Sequence, residues 1–250
     1  SYAHKHAHYL RHFRPMNPYF LSISLLSSSI IAYEITLVRL FSIAQWHHFA
    51  YMIISMAMLG FGASGTMISL TQHWLMPRFH TVYTAFGLIY SISVIGCFVL
   101  SQYVPFNPLT LLWQPSQVLS LFALYLILSL PFFFGAACIG MALLQFTEKV
   151  NQLYFFDLLG SGVGELGMIF IMYVVAPAHN LTVISTIGFG SVLIANWGTP
   201  TARGGTKGGR HWRWMVSIAG IAGMFIGTLL LNPISIKISP YKGLSSTLNF

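Results

Sequence analysis

Seven long apolar runs divide the sequence, near 19–43, 49–72, 80–104, 117–146, 152–176, 180–197 and 213–231. Crossing about 30 Å of hydrocarbon takes roughly 20 residues of helix, so runs of this length can span a bilayer. They are too long for strands and lack the apolar–polar alternation of a membrane barrel. Charge points the same way. Only 6% of the 250 residues are charged, against roughly a quarter in an ordinary soluble domain. A chain so poor in charge could not cover a water-facing surface. The expected fold is all-α: a polytopic membrane helix bundle of about seven transmembrane helices over 19–231. A basic, His-rich tail (1–18) precedes it and a C-terminal segment (232–250) follows. The tail leads into no short apolar region with a cleavage site, so no signal peptide is expected.

Pro131 lies inside the fourth run and should kink it. Asp157 and Glu165 interrupt the fifth. Whether 152–176 crosses decides on which side the chain ends. Trp46, Trp74, Trp113, Trp197, Trp212 and Trp214 fall at or near run ends, as an interfacial aromatic belt requires. Lys5, Arg11, Arg14, Arg78, Lys149, Arg203, Lys207, Arg210 and Arg213 all fall on one side of an alternating bundle. Lys237, Lys242 and Arg39 fall on the other. Positive charge stays inside, so the expectation is a multi-pass bacterial inner-membrane protein with a cytoplasmic N-terminus and a periplasmic C-terminus.

The stretch YEITLVRLFSIAQWHHF, 33–49, carries Glu34 and Arg39 in or beside an apolar run. Intramembrane ionisable residues face a bundle interior or a cavity and usually have partners. Glu34 and Arg39 are five apart, about 140° around a helix, and do not pair directly. Arg39 reaches either a carboxylate on the fifth run or the interface. Asp157 and Glu165 are eight apart, about 80° around the helix, and share one broad face. Glu34, Arg39, Asp157 and Glu165 therefore form either an interhelical polar network that fixes the bundle or a cation or proton site.

Small residues four apart recur at Gly60 and Ser64, Gly160 and Gly164, and Gly223 and Gly227. Such faces let helix backbones approach closely. They imply a tightly packed bundle, with a protein partner or a second copy beside the lipid bilayer. Gly162, Gly164 and Gly167 match the dinucleotide fingerprint literally, but no strand precedes them. His4, His8 and His12 would share a face of a helical tail. His47 and His48 sit at the interface, where a headgroup or loop contact is the ordinary role. No convergent ligand set appears, and neither a metal nor a cofactor is expected. Cys97 and Cys138 read as buried thiols. Asn180-Leu-Thr182 matches a glycosylation sequon but abuts the membrane. The basic Gly-rich segment TPTARGGTKGGR, 199–210, is a solvated connection. The basic residues form no continuous stripe, which argues against nucleic acid. No catalytic residue is visible.

YEITLVRLFSIAQWHHFAYMIISMAMLGFGASG resembles the opening of the membrane-integral, spermidine-synthase-like proteins, the fused transporter/spermidine synthase family. SLPFFFGAACIG and YFFDLLGSGVGELG resemble later spans of that family. ISPYKGLSSTLNF resembles its junction to a soluble, aminopropyltransferase-like domain of Rossmann type. The resemblance implies that Glu34, Arg39, His48 and Asp157 belong to the family's bundle signature. It implies an enzyme domain after Phe250, and leaves this chain noncatalytic by itself. Two other functions stay open: an accessory or scaffolding subunit of a membrane complex, and a cation or polyamine transporter.

Overall fold

A computed structural model describes residues 18–44, 50–105, 115–174, 177–197, 215 and 218–223. Six long helices account for most of them: α1 (Pro18–Ala44), α2 (Ala50–Leu75), α3 (Phe79–Ser101), α4 (Pro115–Gln145), α5 (Val150–Val174) and α6 (Pro177–Trp197). No strand occurs among the described residues. In hydrocarbon every backbone N–H must bond within its own segment, so uninterrupted apolar sequence becomes helix. Three of the helices begin at proline. Its missing N–H is harmless in a first turn, and its φ already suits a helix. Short 3-10 turns at Met76–Arg78 and Thr147–Lys149 lead from α2 into α3 and from α4 into α5.

Four continuous helical stretches are long and apolar enough to cross a membrane: Pro18–Ser42, Tyr51–Ser101, Pro115–Gln145 and Thr147–Val174. The second contains both α2 and α3. Seven spans were expected; the four stretches hold five of those runs. The sixth run forms α6 but falls outside this set. The seventh is described only at Met215 and 218–223. The fifth run is one unbroken helix despite Asp157 and Glu165, and α4 continues through Pro131.

Residue pairings fix the directions. Ser22 meets Tyr83 and Ser29 meets Tyr90, a constant offset, so α1 and α3 run parallel. Ser22 meets Ser191 while Ser29 meets Ile184, so α6 runs antiparallel to α1. Gly160 lies on Ser24 and Gly164 on Ser28, which makes α5 parallel to α1. Gly60 lies against Phe132 and Gly140 against Ile68, so α2 and α4 are parallel to each other. α4 runs against α1, with Gly135 on Ile30 and Tyr33 against Phe132. The chain thus alternates up and down. The start of α1 and both 3-10 turns gather at one end, where Tyr19 packs on Phe79 (5.3 Å) and Phe146 (5.6 Å).

α1 is the axis. It packs most extensively on α5 and α6, and also touches α2 and α4. Tyr33, Ile23, Leu26, Ile30, Leu37 and Leu40 are its largest fully enclosed side chains. The outside is apolar instead of charged. Phe170, Tyr173 and Val174 of α5 are 71%, 86% and 86% exposed. Tyr51, Met58 and Leu70 of α2 are similarly open. A patch of this extent suits acyl chains and would aggregate in water.

Candidate functional site: a polar spine inside the bundle

The sequence LSISLLSSSIIAYEIT places serines on several faces of α1. Two of them form rungs. The Ser22 hydroxyl donates to the Ser191 carbonyl (2.8 Å) and shares hydrogen bonds with the Tyr83 hydroxyl (2.9 Å) and the Ser191 hydroxyl (3.1 Å). Seven residues on, Ser29 donates to the Ile184 carbonyl (2.8 Å) and bonds the Tyr90 hydroxyl (2.8 Å). α1 and α3 lie diagonally across the bundle, so the long tyrosyl side chains bridge the space between them. The α3–α6 seam is closed by Ser185 donating to the Ser91 carbonyl (2.7 Å). Thr84 bonds Asn196 (3.3 Å) in the same seam. A buried hydroxyl in lipid has no water to turn to, so these bonds set which faces can meet.

A second face of α1 meets α5 at backbone distance. A Cβ added at Gly160 would collide with the Ser24 carbonyl and lie 2.7 Å from its Cα. One at Gly164 would collide with the Ser28 carbonyl and lie 2.6 Å from its Cα. Ser27, beside this seam, donates to the half-buried Asp157 carboxylate. Elsewhere a Cβ at Gly60 would meet Phe132 and the Ser129 carbonyl at 2.7 and 2.8 Å. Ser64 is buried and donates to Phe61 in its own helix. A Cβ at Gly223 would come within 2.5 Å of the Phe189 ring. Gly162 and Gly167 have open space around them and lie inside continuous α5, so the literal dinucleotide fingerprint has no strand-to-helix turn.

The four ionisable candidates are not gathered into one cluster. Glu34 is half-buried, Arg39 exposed, Asp157 half-buried and bonded to Ser27, and Glu165 exposed on the outer side of α5. Among the described residues no ion pair joins Arg39 to Glu34, Asp157 or Glu165. His47, His48, Gly227, the His-rich tail and the segment 232–250 lie outside the described residues. Both cysteines are free and buried. No group of three metal-capable side chains occurs among the described residues. Asn180 is fully buried, so its sequon cannot accept a glycan in this fold.

Charge drew attention in the sequence, but the interior is held by neutral groups. Ser22, Ser29, Tyr83, Tyr90 and Ser191 were not singled out, and neither were Tyr33 and Thr36; Asn180 was noted only as a sequon. One signal was available: Ser, Ser and Thr recur every seven residues at 22, 29 and 36, and Tyr, Tyr and Cys recur at 83, 90 and 97. Four side-chain atoms in this region, the Tyr33 hydroxyl, the Thr36 hydroxyl and both amide atoms of Asn180, are buried without a hydrogen-bond partner. No family model matches the chain, and no curated protein or solved structure matches it either.

Proposed function

We propose that the chain is the integral membrane module of a spermidine-synthase-like protein of a bacterial inner membrane, noncatalytic by itself. One observation carries the noncatalytic part. Among the described residues the buried polar groups are Ser, Thr, Asn and Tyr, of which Ser22, Ser29, Tyr83, Tyr90 and Ser185 bond helix to helix, while the carboxylates are half-buried or exposed. Neutral rungs hold a bundle in register. Proton transfer or nucleophilic attack needs an ionisable group set against a base or a reacting group, whereas the Asp157 carboxylate only accepts from Ser27, and cation passage needs convergent charge along a path. The family assignment rests on the motifs of the first, fourth and fifth runs and of residues 238–250.

The test is the intact mass of the native polypeptide from its own membrane, followed by an assay of that polypeptide for aminopropyl transfer. A mass well above 27.8 kDa with transferase activity is the expected result. A mass near 27.8 kDa overturns the module reading. The second reading, an accessory or scaffolding subunit, then takes its place. Glu165 favours that alternative: an exposed carboxylate on an apolar outer face calls for a neighbouring protein group. Stable co-purification of a second membrane polypeptide would support it.

A further inference from the structure

The rungs repeat every seven residues, and the third one differs from the first two. Ser22 faces Tyr83 and Ser29 faces Tyr90. Continuing the same register pairs Thr36 with Cys97. On α6 the partners descend from Ser191 to Ile184. The next heptad brings Pro177 level with Thr36 and Asn180 level with Tyr33. In the first two rungs a tyrosyl hydroxyl from α3 crosses the bundle and satisfies the serine. Cys97 is too short to cross the same gap. Tyr33 enters this layer from α1, packed on Phe132 at 5.1 Å.

Every polar group of the third rung is left over. Tyr33, Thr36 and Asn180 are each 0% exposed, and their hydroxyls and amide have no partner. An unbonded polar atom buried in an apolar interior is costly, and the residues of this layer carry four. The first turn of α6 adds backbone N–H groups that its own helix cannot satisfy. These groups supply hydroxyl and amide donors, and the hydroxyls and the amide oxygen also accept. None carries charge, and among the described residues no Asp, Glu, Lys, Arg or His is fully buried. An ion placed there would be uncompensated, and the positive end of α6 would oppose a cation.

We infer that the layer formed by Tyr33, Thr36, Cys97 and Asn180 is a binding site for a neutral guest whose oxygen both donates and accepts hydrogen bonds. The guest completes the third rung as the tyrosyl hydroxyls complete the other two. Water and the hydroxyl of a small membrane-soluble molecule share this chemistry.

The experiment uses the full chain in detergent or bilayer, with phenol as the organic probe and benzene as its control without a hydroxyl. Water is read by solid-state NMR as polarisation transfer from water protons to Thr36 and Asn180. Saturable stabilisation by phenol but not benzene, weakened roughly tenfold in Thr36→Val, identifies an organic guest. Transfer from water without a phenol effect identifies ordered water. Absence of both overturns the proposal. The apo stability of Thr36→Val is an independent check, because valine matches threonine in shape. A hydroxyl bonded to a guest makes the variant less stable. A higher Tm in Thr36→Val without phenol would exclude ordered water as the guest, and with no phenol effect on the native chain it would overturn the site. Asn180→Leu gives the same two readouts should the threonine variant fail to fold.

Discussion

At the scale of single residues, the glycines of α5 separate into two kinds that sequence alone does not distinguish. Gly160 and Gly164 lie on the backbone of Ser24 and Ser28, where any Cβ must push two helices apart. Gly162 faces open space. Overpacking a tight contact costs about 1–3 kcal/mol, whereas alanine is the better helix former by up to about 1 kcal/mol. Gly160→Ala should therefore lower the unfolding midpoint in detergent, and Gly162→Ala should leave it unchanged or raise it. Equal effects at the two positions would mean that α5 does not dock on α1 through this seam. Such pairs were legible as small residues four apart, and the structure adds what lies opposite. The ionisable residues were legible only as being costly. Arg39 was read as reaching a carboxylate or the interface, and its side chain is exposed. That is consistent with a long side chain carrying its charge outward.

At the scale of the helices, α1 is held by hydroxyl rungs more than by charge. Its serine run reads in isolation as a polar blemish on an apolar segment, because one span does not show what the others present to it. The heptad spacing of Ser22, Ser29 and Thr36 becomes meaningful only beside Tyr83, Tyr90 and Cys97, sixty-one residues downstream in each case. A strict repeat of seven drifts about 20° per heptad from a straight helix, so faces that stay in contact over several heptads coil gently around one another. The Ser29–Tyr90 rung allows a direct measurement. Ser29→Ala and Tyr90→Phe should each destabilise the bundle, and the double variant should cost less than their sum. Interhelical hydrogen bonds in membrane bundles couple by about 0.6 kcal/mol on average, which sets the expected size of the interaction term. Strict additivity would mean that the two hydroxyls are satisfied independently, Ser29 by the Ile184 carbonyl alone.

At the scale of the whole molecule, the positions of the basic residues and the geometry of the bundle can be compared. Arg78 and Lys149 belong to the two 3-10 turns, and these lie at the same end as the start of α1. One end therefore carries both turn cations, as the alternation of runs implied. The cation–π contact of Arg78 over Trp74, 5.2 Å from the ring centroid, places an interfacial aromatic at that same end. Cations resist translocation, so the positive-inside expectation is that this end faces the cytoplasm. The two native cysteines are buried, so a new surface cysteine can be read against a quiet background. A membrane-impermeant thiol reagent should label Arg78→Cys and Lys149→Cys from the cytoplasmic face only. Tyr103→Cys, beyond the far end of α3, should label only from the opposite face. Labelling of both turn positions from outside would invert the bundle. Labelling of one from each side would break the alternation itself, and with it the parallel pairing of α1, α3 and α5 on which the polar spine depends.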